Sequence, residues 1–272
     1  MKILITGANG MLGHDLCLHF KNSNHEIIKS TRKEMDITNL NSCYDFISKN
    51  TPEIIIHCAA YTNVEQAEIE KEKATLVNFQ GTKNLVEICN KLNCKLIFIS
   101  TDYVFDGEKN SPYLPNDKTN PINEYGKSKD LAEKEIINNC KKYQIIRTSW
   151  LYGKNGKNFV QTMLNLKDKK EIKVIENQIG CPTWTVELSR GIEKLLSREN
   201  GIYQIVSNGQ TSWFEFAKKI FEIAEINANI SPCTSNEYKT LAKRPNYSVL
   251  KSDIILKDWD IALEEYLKTF LF

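Results

Sequence analysis

The feature that most constrains the fold is an alternation, over residues 1–150, between short apolar runs and longer amphipathic stretches. Strands that alternate with helices form right-handed βαβ units, in which helices cover both faces of a parallel sheet. The pattern therefore predicts a doubly wound α/β fold. The predicted strands lie at 2–6, 26–30, 53–57, 95–100 and 143–149, and the helical stretches lie near 11–22, 39–49, 65–91 and 124–141.

The alternation becomes less regular after Trp150. Strand-like "IKVI" and "GIYQIV" are mixed with helical "VELSRGIEKLL", "SWFEFAKKIFEIAE" and "ALEEYLKTFLF". No stretch rich in Gly, Pro or Ser separates two halves, so we do not expect two independent domains. We predict a main domain over 1–150 and a smaller C-terminal lobe over 151–272, interleaved with late strands of the sheet.

Composition excludes several classes of protein. The 272 residues carry 36 basic and 34 acidic side chains, a net charge of +2, which argues against a nucleic-acid partner. The first apolar run begins at Lys2 and no run approaches the ~20 residues that cross a bilayer, so we expect a cytoplasmic protein without a membrane partner. The eight cysteines form no CxxC pair, which favours buried reduced thiols over zinc ligands.

Three glycines stand between the first strand and the first helix, in "KILITGANGMLGHDL". Gly7 permits a tight turn, Gly10 lets backbone amides approach a pyrophosphate, and Gly13 lets the helix pack closely on the strand. The anion would then lie at the helix N-terminus, where free N–H groups favour negative charge. No Gly-Lys-Ser/Thr follows as in a P-loop, so the loop predicts an NAD(P)-binding Rossmann domain over 1–150.

The end of the second strand governs cofactor choice. An acidic residue there would bind the adenosine ribose of NAD, but this chain has "KSTRKEMD". Arg32 can pair with a 2'-phosphate, which favours NADPH, with NADH as the second possibility. The alternative is that Arg32 and Lys33 are a solvated surface pair.

Two further strands end in residues suited to this site. Cys58, Ala59 and Ala60 follow the third strand, and their small size allows the middle of the cofactor to lie against backbone. The fourth strand ends in "FISTDYVFDG", which places Thr101 at the same edge. Ligands of open α/β sheets bind at this carboxyl edge.

Tyr125 and Lys129 lie four residues apart in "NEYGKSK", at the start of a predicted helix. Hydride transfer to a ketone builds an alkoxide, so an acid must supply a proton. A free phenol has a pKa of about 10, but an ammonium group one helical turn away lowers that pKa and can hold the nicotinamide ribose. We predict Tyr125 as the proton donor, Lys129 as the residue that tunes and positions it, and Thr101 as a hydroxyl that orients the carbonyl.

The chain resembles the dTDP-4-dehydrorhamnose reductase family, a sugar-nucleotide branch of the extended short-chain dehydrogenases/reductases. The resemblance rests on the GxxGxxG loop and on "TGANGMLG", "HCAAYTNVEQAE", "STDYVFDG", "NPINEYGKSK", "RTSWLYG" and "RPNYSVL". It implies an NAD(P)H-dependent oxidoreductase that reduces the 4-keto group of dTDP-4-dehydro-L-rhamnose to dTDP-L-rhamnose, a precursor of cell-surface polysaccharide. The C-terminal lobe would bind the nucleotide sugar.

The resemblance also implies individual roles. Cofactor contacts would come from Gly10, Met11, Leu12, Asp36, Ile37, Ala60, Tyr61, Thr62 and Lys129. Thr101, Asp102 and Trp150 would face the sugar, with Trp150 offering an indole face to the deoxyhexose, and Tyr103 would line the same pocket. The alternative for Trp150 is a core position.

Two alternatives stay open at this point. The substrate can be another nucleotide-linked 4-keto-6-deoxy sugar, because the catalytic residues would be identical. The chain can also be a non-catalytic homologue of the type that binds a methionine adenosyltransferase. Some members of the family hold Mg²⁺ at a dimer contact; Asp15 and Glu187 occupy suitable positions, but "YLKTFLF" supplies no acidic residue. We therefore predict no metal, and a homodimer only as a possibility.

Overall fold

The computed structural model of the chain describes residues 1–271. Its strands are Lys2–Thr6 (β1), Glu26–Ser30 (β2), Ile54–His57 (β3), Lys95–Thr101 (β4), Tyr143–Thr148 (β5), Leu151–Tyr152 (β6), Ile172–Ile175 (β7), Ile179–Gly180 (β8), Thr183–Trp184 (β9), Gly201–Gln204 (β10), Thr211–Ser212 (β11) and Ile230–Cys233 (β12). Six of them form one parallel sheet in the order β10-β5-β4-β3-β1-β2. The doubly wound Rossmann-type fold is confirmed, and each of the five predicted strands forms with bounds within one residue of the expectation.

Five of the helices begin directly after a side chain that caps them. Asn39, Asn63, Asn123, Asn158 and Ser212 each accept a hydrogen bond from a backbone N–H in the first turn of the helix that follows. The helices are Met11–His19 (α1), Leu40–Asn50 (α2), Val64–Ile69 (α3), Lys71–Thr75 (α4), Gly81–Leu92 (α5), Glu124–Asn139 (α6), Phe159–Asn165 (α7), Thr185–Leu195 (α8), Trp213–Ile223 (α9) and Trp259–Leu271 (α10). The helical stretch predicted near 65–91 is α3, α4, a π-helical segment at Leu76–Gln80, and α5.

Each face of the sheet carries its own core, because successive side chains of a strand point to opposite faces. Ile3 and Ile5 pack on one face with residues of α1 and α8. Leu4 packs on the other face with residues of α2, α5 and α6. Both faces are therefore dry, which explains why the central strands are almost continuously apolar.

The C-terminal half contributes both to the sheet and to a separate packing unit. Strand β10 pairs with β5 in parallel and extends the sheet. Strands β7 and β12 pair in parallel beside α9, and a third core joins α7, α9 and α10. The last helix begins three residues before the predicted stretch, and Phe272 lies outside the described residues. The division into 1–150 and 151–272 stays a prediction.

No helix in the described part of the chain combines the length and apolar content needed to cross a bilayer. All eight cysteines are free thiols; seven are buried, and Cys58 is partly exposed.

Candidate active site

A cleft of about 640 Å³ runs along the carboxyl ends of the parallel strands. Every residue that the sequence predicts for the site lines this one cleft. They are Gly7, Gly10, Met11, Leu12, Gly13, Arg32, Asp36, Ile37, Cys58, Ala59, Ala60, Tyr61, Thr62, Thr101, Asp102, Tyr103, Tyr125, Lys129 and Trp150. The structure therefore brings the predicted set together.

The glycine loop is packed too tightly for larger residues. Gly7 has a φ of +63°, and a Cβ there would lie 2.8 Å from the Ala59 backbone nitrogen. A Cβ on Gly13 would collide with the Gly7 carbonyl oxygen. Gly10 precedes α1, and no side chain caps this helix. The first N–H groups of α1 are therefore left to a ligand, which fits the pyrophosphate of a dinucleotide.

The turn after β2 forms the end of the cleft where we expect the adenosine to bind, which we call the adenosine end. The Asp36 carboxylate accepts hydrogen bonds from the Thr38 backbone N–H at 3.0 Å and from the Thr38 hydroxyl at 2.8 Å. Burial raises the pKa of Asp36, but these bonds and nearby Arg32 outweigh burial and lower it below its ordinary value. Arg32 donates to Asp36 over 3.4 Å and its side chain is 80% exposed, so the guanidinium is accessible to a phosphate.

The opposite end of the cleft is formed where β4 meets α6. It holds the predicted catalytic residues, and we call it the reacting end. Thr101 closes β4, and Tyr125 and Lys129 share one face of α6. Gly126 lies between them on the helix, where a Cβ would collide with the Tyr103 carbonyl oxygen. The glycine thus lets the first turn of α6 approach the turn after β4, which brings Thr101 and Tyr125 to the same cleft.

Lys129 is held in a buried position. Its side chain donates from Nζ to the Ile99 carbonyl oxygen at 2.6 Å, and Nζ lies 3.8 Å from the centre of the Phe98 ring. Burial lowers the pKa of Lys129 to about 7, although Glu133 acts in the opposite direction. An ammonium group has three donors, so the bond to Ile99 leaves two for a ligand.

The electrostatics of Tyr125 differ from the expectation. We expected Lys129 to lower the pKa of this phenol, but burial and the Asp102 carboxyl raise it, and only Thr101 opposes them. The ammonium of Lys129 points at the Ile99 carbonyl oxygen and the Phe98 ring, and it is not among the groups that shift the pKa of Tyr125. In this state Tyr125 remains a protonated phenol throughout the neutral range.

Thr101 and Asp102 form a hydrogen-bonded unit beside Tyr125. The Thr101 hydroxyl donates to Asp102 Oδ1 at 3.0 Å and accepts from the Tyr103 backbone N–H at 3.1 Å. Burial outweighs the opposing hydrogen bonds from Ser248 and Thr101 and raises the pKa of Asp102 to about 7. A substrate carbonyl must therefore compete with Asp102 for the Thr101 proton.

Comparison with known proteins decides the family. The RmlD substrate binding domain family matches residues 1–271. The chain belongs to this family.

Relatives in and around this family are similar along their whole length. The chain is 40% identical over 274 residues to a "Spore coat polysaccharide biosynthesis protein SpsK" of Bacillus subtilis, covering 98% of this chain and 97% of that protein. It is 37% identical over 285 residues to a "dTDP-4-dehydrorhamnose reductase" of Aggregatibacter actinomycetemcomitans, covering 97% of both. A crystal structure of dTDP-4-dehydrorhamnose reductase from Bacillus anthracis in complex with NADP superimposes with a TM-score of 0.96 at 39% identity, covering 98% of this chain and 99% of that one.

Sequence reasoning missed further residues that line the cleft of this RmlD-family chain, among them Lys73, Thr148, Ser149, Lys157 and Trp213. Lys157 belongs to "KNGKNF", where two lysines around a glycine are a weak sign of a loop that meets an anion. Trp213 opens α9 within an amphipathic pattern, which by itself favours a core position. Only the fold of the C-terminal lobe brings α9 to the cleft.

Trp150 does not present the free indole face that we expected. Its ring is parallel to that of Trp213, with centroids 3.5 Å apart and an interplanar angle of 6°. A Cβ on Gly180 would lie 2.6 Å from Nε1 and 2.7 Å from Cζ2 of Trp150, so backbone packs against the indole as well. Trp213 therefore covers one face of the Trp150 indole. A sugar that stacks on that face must first displace Trp213.

Asp15 and Glu187, the two carboxylates in positions suited to a metal in this family, are both engaged by protein groups. Asp15 accepts a hydrogen bond from the Thr185 hydroxyl. Glu187 pairs with Arg190, and Lys257 lies 3.8 Å from its carboxylate. Within residues 1–271 no group of three or more His, Cys, Asp or Glu side chains is arranged to hold a metal ion.

Proposed function

We propose that this chain reduces the 4-keto group of dTDP-4-dehydro-L-rhamnose with NADPH and forms dTDP-L-rhamnose, a precursor of polysaccharide. The observation that carries the proposal is the meeting of Thr101, Tyr125 and Lys129 in the same cleft as an uncapped dinucleotide loop. Full-length similarity to proteins named dTDP-4-dehydrorhamnose reductase supports it.

The cofactor fits the residues of the cleft. Backbone amides from Gly10 to Leu12 would hold the pyrophosphate, since a side chain at Gly13 is excluded and α1 is uncapped. Arg32 would meet the 2'-phosphate, while Asp36 and Ile37 would flank the adenine. Cys58, Ala59, Ala60, Tyr61 and Thr62 would line the middle of the cofactor. When bound, NADPH supplies the hydride.

The residues at the reacting end supply the proton and fix the geometry. Tyr125 would give its phenolic proton to the sugar O4 as negative charge develops there, and its raised pKa ensures that the proton is present at neutral pH. Thr101 would donate to the same oxygen after exchanging Asp102 for the substrate. Lys129 would use its two remaining donors on the nicotinamide ribose and on the phenol, which favours the phenolate left after transfer.

The C-terminal lobe would hold the nucleotide sugar, with Asp102, Tyr103 and Trp150 next to the deoxyhexose. The position of Trp213 over Trp150 makes this end the part of the cleft that must rearrange for substrate. In this proposal the protein acts in the cytoplasm and forms a homodimer. Cell fractionation would test the location, and light scattering of the purified protein would test the dimer.

The decisive experiment is an assay with a panel of nucleotide-linked 4-keto-6-deoxy sugars. We expect oxidation of NADPH with dTDP-4-dehydro-L-rhamnose and a product whose NMR coupling constants identify rhamnose. A 6-deoxytalose product would reject the proposed stereochemistry, and higher kcat/KM with another sugar would reject the proposed substrate. Absence of turnover with every sugar, in folded protein that binds NADPH, would favour a non-catalytic homologue.

A further inference from the structure

A buried ion pair lies directly behind the active site. Glu133 follows Lys129 by four residues on α6, and Arg147 lies on β5; each of the two is almost wholly buried. Arg147 Nη2 donates to Glu133 Oε2 at 2.6 Å, and its Nε donates to Oε1 at 3.0 Å. The guanidinium thus binds the carboxylate through two nitrogens, the geometry that fixes a carboxylate most firmly.

Two further bonds complete this cluster. The Ser100 hydroxyl donates to Glu133 Oε1 at 2.5 Å, and Arg147 Nη1 donates to the Pro115 carbonyl oxygen at 3.0 Å. Ser100 lies opposite Arg147 in the β4–β5 register and immediately precedes Thr101. The cluster therefore joins α6, β4 and β5 at the point where they carry the reacting groups.

Lys129 has no anionic side chain in direct contact. It forms no salt bridge within the described residues, and its side chain bonds to a carbonyl oxygen. The titratable groups that couple electrostatically to it are Glu133 on its own helix and His57 and Cys58 at the end of β3. Burial keeps His57 and Cys58 uncharged, because it lowers the pKa of His57 to about 3 and raises that of Cys58. Glu133, bound by the Arg147 guanidinium, is the one of these with negative charge.

We propose that Glu133 is a positioning residue, held by Arg147 and Ser100 at a distance from which it keeps Lys129 charged without taking the ammonium donors. The function of Lys129 in this inference rests on the proposed reductase activity. A free carboxylate one helical turn away would pair with the ammonium directly and withdraw it from the cleft. The grip of Arg147 prevents that pairing, so the field of Glu133 reaches Lys129 while its donors remain available.

This arrangement predicts opposite effects for two related variants. In Glu133→Gln with Arg147→Met, the charges disappear together, and a buried pair replaced in this way commonly leaves a folded protein. Because Glu133 acts to raise the pKa of Lys129, that pKa should then fall by more than about 0.3. In Arg147→Met alone, Glu133 is released and pairs with Lys129, so the pKa of Lys129 should rise. A purely structural pair would not move this pKa in opposite directions.

The test is NMR titration of the Lys129 side chain, assigned with Lys129→Met, in cofactor-free protein. This readout does not depend on turnover, so its failure is distinct from failure of the proposed reaction. Asp130→Asn with Lys134→Met is the matched control, because it removes an ion pair of 2.6 Å from the same helix and should leave the pKa unchanged. If either test variant leaves the pKa of Lys129 within 0.3 (about a third of a unit) of the wild-type value, or moves it in the direction opposite to that expected, the proposal is overturned.

Activity provides a second readout. If turnover requires a charged Lys129, the alkaline limb of the kcat/KM profile should move to lower pH in the double variant, with activity regained as the pH is lowered. An equal loss at every pH, with the limb unmoved, would count against the proposal. Should the double variant be recovered only unfolded, Arg147→Met decides the matter by the sign of its shift.

Discussion

The two ends of the cleft differ in how firmly the fold holds their cations. At the reacting end Lys129 is 2% exposed, bonded to a backbone carbonyl and placed over an aromatic ring. At the adenosine end the Arg32 side chain is 80% exposed and makes one long contact to Asp36. Proton transfer depends on pKa values, which burial can shift strongly, whereas selecting a phosphate requires a charge that can reach it.

The largest effect should come from Tyr125→Phe at the buried end. Without the phenolic proton, kcat should fall by about 10²–10⁴-fold, the range for one general acid, because the alkoxide must then be protonated by water. Stopped-flow or steady-state oxidation of NADPH measures it, and the Kd for NADPH should change little. Tyr203→Phe, remote from the cleft, is the control. A kcat within threefold (about 0.6 kcal/mol) of wild type would remove Tyr125 from the proposed role.

Thr101 tests the same end with a smaller change. Thr101→Val keeps the shape but removes the hydroxyl, and kcat should fall by about 10–10³-fold, as for loss of one oxyanion donor. Thr101→Ser retains the hydroxyl and should keep most of the activity. Equal losses in the two variants would mean that the methyl group, rather than the hydroxyl, is what the site requires.

The burial of Lys129 should appear in the pH dependence of stability. Its pKa is about 7 in the folded chain and ordinary values are near 10.4, so between these pH values the unfolded chain binds more protons and the folded state gains stability as pH rises. Relative to Lys129→Met, the wild-type free energy of unfolding should gain about 1.5 kcal/mol between pH 7 and pH 8.5 (roughly 1.2 protons × pH units). Urea unfolding of the two proteins measures this. If the difference between their free energies of unfolding stays constant with pH, burial does not lower the pKa of Lys129.

The smallest effect belongs to the exposed end. Arg32→Ala should weaken the binding of NADPH about five- to tenfold and leave the binding of NADH nearly unchanged, because an exposed charge contact contributes about 1 kcal/mol. Lys33→Ala, the exposed neighbour that does not line the cleft, is the control. Equal use of NADPH and NADH before and after the Arg32 substitution would contradict the 2'-phosphate assignment and leave Arg32 as a solvated side chain.

The sequence predicted five strands of the sheet and much of the cleft because both depend on local patterns. Strand-length apolar runs identify buried parallel strands, and the carboxyl ends of such strands share one edge, so Thr101 and Cys58 had to lie near the glycine loop. Helix α6 begins at Glu124, where the predicted stretch begins, and the Asn123 side chain caps it.

What the sequence did not predict depends on three-dimensional packing between distant segments. Trp213 reaches Trp150 only because the C-terminal lobe packs α9 against α7 and α10. The raised pKa of Tyr125 comes from its burial and from the Asp102 carboxyl, and neither is visible in the four-residue spacing. Spacing placed Tyr125 and Lys129 on one face, but not the direction in which the ammonium points.

Strand β10, the last strand added to the six-stranded sheet, has a consequence for folding during synthesis. Gly201–Gln204 pairs with Gln144–Arg147, so the outer edge of β5 is covered by a segment synthesised more than 50 residues later. Until that segment leaves the ribosome, the nascent chain carries an open strand edge with Ile145 and Ile146 in it, and such edges recruit other chains. A fragment ending at residue 150 should accordingly aggregate during expression, while a fragment that includes β10 has the edge of β5 covered.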